Sequence, residues 1–273
     1  MVGQAARGRP TRDRRRPRRL LSRGGHDRDD GQLPGVVRGF RGARTGSSGN
    51  RPAVAPQRRA REGRAGRGRR GGLLVAASVG PYGAALADGS EYRGRYGLSV
   101  GALARWHRPR LETLADAGAD VLACETVPDV DEAEALVDVV RSVGMPAWLS
   151  YTIDGARTRA GQPLTEAFAV AAGVDEIVAV GVNCCAPDDV LPAIASASEI
   201  GKPVIVYPNS GERWDGRAWV GPRTFATGLA AQWVSAGARI VGGCCRVGPV
   251  DIAELAPLRR ACNQGEKSAE NSP

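Results

Sequence analysis

Ile177-Val-Ala-Val-Gly-Val-Asn-Cys184 and Arg239-Ile-Val-Gly-Gly-Cys-Cys-Arg246 each carry a short apolar, β-branched run that leads into cysteine. Runs of this length and composition, apolar at successive positions, predict strands buried on both faces, the kind found in parallel sheets. Three thiols then stand at the carboxyl ends of two buried strands, where parallel α/β folds build their active sites. Three thiolates around one soft divalent ion, with a fourth position open, make a catalytic zinc site. A structural zinc site would use four closed ligands, usually in paired C-x-x-C knuckles, and the chain contains no such knuckle. On spacing alone Cys185 competes with Cys184, because successive strand residues point to opposite faces.

Outward from these two runs the chain alternates strand and helix signals from Leu73 onward. Further strands are expected at 73–79, 121–125, 147–152 and 204–207. Helices are expected near 98–117, 131–143, 164–172, 188–199, 222–236 and 250–260. Asp129 and the Asp188-Asp189 pair occupy N-cap positions, and Gly118, Gly144, Gly173, Gly201 and Gly237 fall where helices end. Such alternation implies parallel βαβ units, six of the eight that a (β/α)8 barrel needs. An open doubly wound sheet is the alternative, but its G-x-G-x-x-G nucleotide signature is absent.

The formal charge of +9 is unevenly spread. Residues 1–72 hold 21 Arg, no Lys and 5 acids, a formal +16, which leaves the remainder at −7. Six cysteines, four of them in two adjacent pairs, point to a reducing compartment, the cytoplasm, rather than to a disulfide framework. No apolar run approaches the ~18–20 residues of a membrane span, so no membrane partner is expected.

Residues 1–72 carry neither a helical nor a strand period and are dominated by Arg, Gly, Ala and Pro. One reading is a disordered basic arm on a metal-stabilised α/β domain, which would make the chain a nucleic-acid-binding protein. Against it stand the absence of lysine and of aromatic interleaving, Phe40 being the sole aromatic. The reading preferred here is out-of-frame translation of a GC-rich gene. Residues 25–40, given permitted codons and read one nucleotide later, spell ATIATTASYQASFEG, a strand running into a loop. The domain boundaries expected are therefore 1–72 irregular, 73–261 barrel domain and 262–273 disordered tail, and no specific nucleic acid is expected.

At the carboxyl ends of the six strands stand Ser78-Val-Gly-Pro-Tyr82, Glu125-Thr126, Ser150-Tyr-Thr152, Asn183-Cys184, Tyr207-Pro-Asn-Ser-Gly-Glu212 and Gly242-Gly-Cys-Cys-Arg246. SVGPYGAALADGSEYRG, ADVLACETVPD, VGVNC, VYPNSGE and RIVGGCCR together resemble the homocysteine S-methyltransferase family, over residues 72–261. The first block is especially similar to the branch that uses S-methylmethionine or S-adenosylmethionine as donor. The resemblance implies a (β/α)8 barrel, Zn(2+) held by Cys184, Cys244 and Cys245, L-homocysteine as methyl acceptor, and Glu125 holding its ammonium group. Ser78, Tyr207 and Asn209 either line the substrate pocket or stabilise loops. Cys124 reads as a buried small hydrophobe, Cys262 as a tail thiol, and His107 as a surface or packing histidine far from the strand ends. One departure stands out: the family's Asp-Gly-Gly segment, whose aspartate contacts homocysteine, has no counterpart in this sequence.

Overall fold

The structure is a computed structural model, described here for residues 73–215 and 218–258. The expectations for residues 1–72 and for the tail 262–273, Cys262 included, lie outside the described residues.

In chain order the elements are β1 (Ala76–Val79), α1 (Tyr82–Leu86), a 3₁₀ turn (Ser90–Tyr92), α2 (Val100–Asp116), β2 (Val121–Val127), α3 (Val130–Val143), β3 (Ala147–Tyr151), β4 (Ile153–Asp154) and β5 (Arg157–Thr158). They continue as α4 (Leu164–Ala169), β6 (Ile177–Asn183), a 3₁₀ turn (Pro187–Asp189), α5 (Val190–Ser198), β7 (Val204–Tyr207), β8 (Arg213–Trp214), β9 (Trp219–Val220), α6 (Thr227–Ser235), β10 (Ala238–Val241) and α7 (Pro249–Ala253). All six strands and six helices expected from the sequence are present, with shifted ends. The elements that it did not signal are α1, the two 3₁₀ turns and the β4–β5 and β8–β9 hairpins, which are too short to show a period.

Six strands form one parallel sheet in the order β1-β2-β3-β6-β7-β10. The order never reverses, so there is no switch point of the kind at which a doubly wound sheet binds its ligand. This is the winding of a (β/α)8 barrel, with β1 and β10 at the edges among the described residues.

Local signals explain the helices. The Asp129 side chain accepts from the Asp131 N–H and starts α3, and Gly144, at φ 64°, ends it by donating its N–H to Val140 O. Period-two alternation then sorts the strand side chains into two packed faces. Val79, Leu122, Leu149, Tyr151, Val180 and Val206 meet Leu111, Leu136, Phe168, Ile194 and Trp233 from the helices. Each large apolar side chain buried there contributes roughly 1.5–3 kcal/mol.

Ala76, Val121, Ala123, Trp148, Ala179 and Ile205 pack on the other face. The register carries that face onward to Ser78, Glu125, Ser150, Asn183 and Tyr207. It turns from apolar to polar at the carboxyl ends of the strands. Gly181 lies on it, and a Cβ there would stand 1.7 Å from Ile205 O, so only glycine lets β6 and β7 approach this closely. Among the described residues no helix is long and apolar enough to cross a membrane.

Candidate metal centre

Asn183, the last residue of β6, points to the polar face. A residue continuing the strand would point away from it, but Cys184 adopts φ 50°, a left-handed conformation that breaks the alternation. Cys184 Sγ thereby lies 2.9 Å from Cys244 Sγ and 3.7 Å from Cys245 Sγ. Cys185 takes the outward place and is buried in the helix-facing core. All four are free thiols.

After β10 the chain turns tightly through Gly243, where a Cβ would collide with the Val247 side chain at 2.2 Å. The segment following β7 stitches the two cysteine loops together. Cys244 N–H donates to Pro208 O (2.8 Å), Cys245 N–H to Asn209 Oδ1 (3.1 Å), Ser210 N–H to Cys245 O (3.0 Å) and Asn209 N–H to Cys185 O (3.0 Å). Asn209 therefore holds the cysteine loop as well as standing beside the site.

Three thiols this close cannot all ionise unaided, because each anion disfavours the next. Hydrogen bonds from Cys184 and then Cys244 hold Cys245 well below the usual thiol range, at about 3. Cys244 is pushed up by its hydrogen bonds to Cys184 and Cys245 and by burial. A divalent cation is the charge that would let all three be anionic together. Their ligand atoms lie within 4.8 Å of one another. A tetrahedral ion with metal–sulfur bonds of ~2.3 Å sets its sulfurs ~3.8 Å apart. The Cys184–Cys245 separation matches, and the Cys184–Cys244 pair must open by about 0.9 Å, within reach of a side-chain rotation. The residues fit a metal.

On the same face Ser78 Oγ donates to Glu125 Oε1. Tyr207 stands beside Glu125, near enough to act on its pKa, and accepts from Trp148 Nε1 at 2.9 Å. Burial raises the pKa of Glu125, while Ser78 and Tyr207 work against the rise. Thr126, next in the chain, adopts φ 60°. It is held there by the Asn183 amide: Thr126 N–H donates to Asn183 Oδ1 (2.7 Å) and Asn183 Nδ2 to Thr126 Oγ1 (2.8 Å). Thr152 Oγ1 donates to Cys184 O (3.1 Å). Tyr92 brings its hydroxyl to 3.9 Å from Cys184 Sγ. Burial, and then the neighbouring Cys184, raise the Tyr92 pKa and keep it a phenol.

Of the two readings of His107, surface or packing, the structure bears out the second and corrects the first. His107 is fully buried rather than at the surface, and it is tied to the loop after β1. Arg110 Nη2 donates to both Gly80 O (2.6 Å) and His107 Nδ1 (2.8 Å), so the imidazole proton sits on Nε2 and faces Glu132 Oε1 (2.8 Å). Glu132 also accepts from the Tyr82 N–H (2.6 Å) and the Tyr96 hydroxyl (3.2 Å). The signal for this network was a carboxylate on the apolar stripe of α3, in step with Leu136 and Val140.

Burial lowers the His107 pKa, with Glu132 pulling it upward and Arg110 adding to the fall. The unfolded chain therefore takes up this proton first as pH drops. Stability will be full above the unfolded value of about 6.5 and will be lost as pH falls through the depressed folded one. Urea midpoints measured against pH will show that slope, and His107→Asn will flatten it.

The sequence profile of the family described as "Homocysteine S-methyltransferase" matches residues 39–258, beginning inside the Arg-rich segment. A homocysteine S-methyltransferase of Escherichia coli is 48% identical over 193 residues, 68% of this chain and 62% of that protein. One from Bacillus subtilis is 42% identical over 196 residues, 69% of this chain and 62% of that protein. The crystal structure of the homocysteine methyltransferase from Escherichia coli in its metallated form superposes with a TM-score of 0.60 at 46% identity, covering 67% of this chain and 60% of that one. The chain thus spans about 62% of the length of these curated relatives.

Proposed function

The chain belongs to the homocysteine S-methyltransferase family, and from that premise we propose that it transfers a methyl group from a sulfonium donor to the thiol of L-homocysteine, at zinc held by Cys184, Cys244 and Cys245. The observation that carries this reading is the meeting of three free thiols from two strand ends on the face that also presents Glu125. Three soft anionic donors suit zinc, and the open fourth position suits a substrate sulfur. Zinc there would supply the acidity that lets homocysteine's thiol, with an ordinary pKa of ~8.5, react as a thiolate near neutral pH.

The chain's own residues would do the rest. Glu125 holds the acceptor's α-ammonium, with its carboxylate oriented by Ser78 and Tyr207. Asn209 keeps the backbone of Cys245 in place. Tyr92 stands beside Cys184 as a neutral phenol at the edge of the cluster. Methyl transfer is a displacement at carbon: the acceptor sulfur forms the new S–C bond while the donor's S–C bond breaks, and its electron pair leaves on a neutral thioether. S-methylmethionine and S-adenosylmethionine both meet that chemistry. The free thiols suit a reducing compartment such as the cytoplasm.

The test is methionine formation from L-homocysteine by the zinc-loaded full chain, with each donor supplied in turn. Failure with both donors would remove the proposal. A pH series adds a specific expectation. The Glu125 pKa is raised by burial, so the carboxylate that binds the ammonium protonates earlier than an ordinary glutamate as pH falls. The KM for homocysteine will climb on going from about pH 8 to about pH 5 in wild type. Glu125→Gln will start from a high KM and will lose that slope.

A further inference from the structure

We propose that Asn183 is a positioning residue that fixes the separation between Glu125 and the cysteine cluster. It thereby selects a thiol amino acid with two methylenes between Cα and sulfur over one with a single methylene. The inference rests on the functional reading above, in which Glu125 holds the ammonium and the cysteines flank the thiol.

The two anchor points sit at the ends of β2 and β6, which are not neighbours, because β3 lies between them. The backbone ladders join them only through β3, and the β2–β3 register shifts between Cys124 and Val127, so Glu125 and Thr126 themselves are left out of the ladder. The Asn183 amide joins them directly, spanning from β6 to Thr126 with one hydrogen bond accepted and one donated. Its connections fall on the two residues that matter. Thr126 directly follows Glu125, and Cys184 directly follows Asn183.

Both of those neighbours are left-handed, at φ 60° and 50°. For a β-branched threonine that conformation is strained and persists only where the surroundings hold it. Thr152, at the end of the intervening strand, ties down the Cys184 carbonyl. Asn183 is fully buried and acts through these neighbours.

A rigid span of this kind is a ruler. Cysteine, one methylene shorter than homocysteine, cannot satisfy both anchors at once. A single methylene in a shaped site discriminates by about 10–200-fold, and a misplacement of about 1 Å costs on the order of 100-fold.

The experiment is isothermal titration of L-homocysteine and L-cysteine into the zinc-loaded full chain. The variants are Asn183→Ala, Thr126→Gly and the pair combined. Wild type should prefer homocysteine by about tenfold or more. Asn183→Ala should bring the two affinities toward parity with zinc still bound. Adding Thr126→Gly should relieve the strain and restore the unfolding midpoint without restoring the preference.

A merely structural asparagine would give a different pattern, with stability and preference recovering together, and that result would overturn the ruler. So would an Asn183→Ala chain that keeps the wild-type preference. If Asn183→Ala does not fold, Asn183→Ser decides, since its hydroxyl is too short to reach Thr126 and both hydrogen bonds of the span are lost: a lost preference supports the ruler and an unchanged one refutes it. A wild-type chain that binds zinc but no homocysteine would instead overturn the functional reading, and the ruler with it.

Discussion

Cys184→Ala will leave the purified chain without stoichiometric metal and without measurable methionine formation, whereas Cys185→Ala will keep both. The contrast follows from one backbone angle. With φ at 50°, Cys184 turns onto Cys244 and Cys245, and its neighbour turns into the helix-facing core. Removing Cys184 takes away one of three anionic donors. Even residues that only support metal ligands cost 10–100-fold in affinity when lost, so a ligand itself should cost more than about 100-fold. Cys185→Ala deletes a small buried group from an apolar core and should cost on the order of 1 kcal/mol of stability. Metal-to-protein ratios after dialysis, read beside urea midpoints, separate the two outcomes. Equal metal retention in both variants would reject the assignment of Cys184.

Gly181→Ala is expected to be the most damaging single methyl group that can be added to the sheet. Gly181 pairs with Ile205 across β6 and β7, and the new Cβ would stand 1.7 Å from the Ile205 carbonyl oxygen. That neighbour is backbone, so it cannot rotate away, and the two strands must separate. Overpacking of this kind costs at least about 3 kcal/mol. The strain would also reach the site, because Asn183 and Cys184 lie two and three residues along the same strand end. Loss of soluble protein, or a urea midpoint far below wild type together with weakened zinc retention, is the expected result. A wild-type midpoint would show that β6 and β7 are not packed this closely.

The sheet was legible because most of its strands are buried and so read as unbroken apolar runs, five of them followed by a helix that ends near a glycine; β10 departs from that expectation, with Arg239 and Ile240 exposed at the sheet edge among the described residues. The position of the site was legible for the same reason: polar residues collect where those runs stop. What the sequence left open was local. Spacing could not choose between Cys184 and Cys185, because a strand that ends in a left-handed residue breaks the rule by which spacing is read. Asn183 and Thr126 gave no signal as a pair, since 57 residues separate them and only the sheet order brings them together. The sequence left His107 open between surface and packing because its partner Glu132, a charge on the apolar stripe of α3, was not weighed with it. Tyr92 lies within the quoted ADGSEYRG block, but its approach to Cys184 depends on a loop without periodicity.

Zinc K-edge X-ray absorption on the full chain, with and without L-homocysteine, tests most directly whether Cys184, Cys244 and Cys245 form the reacting centre. The expected spectrum without homocysteine shows three sulfur ligands at ~2.3 Å, and homocysteine raises the count to four at the expense of a lighter ligand. A shell dominated by nitrogen and oxygen, or a three-sulfur shell that homocysteine leaves unchanged, would contradict it.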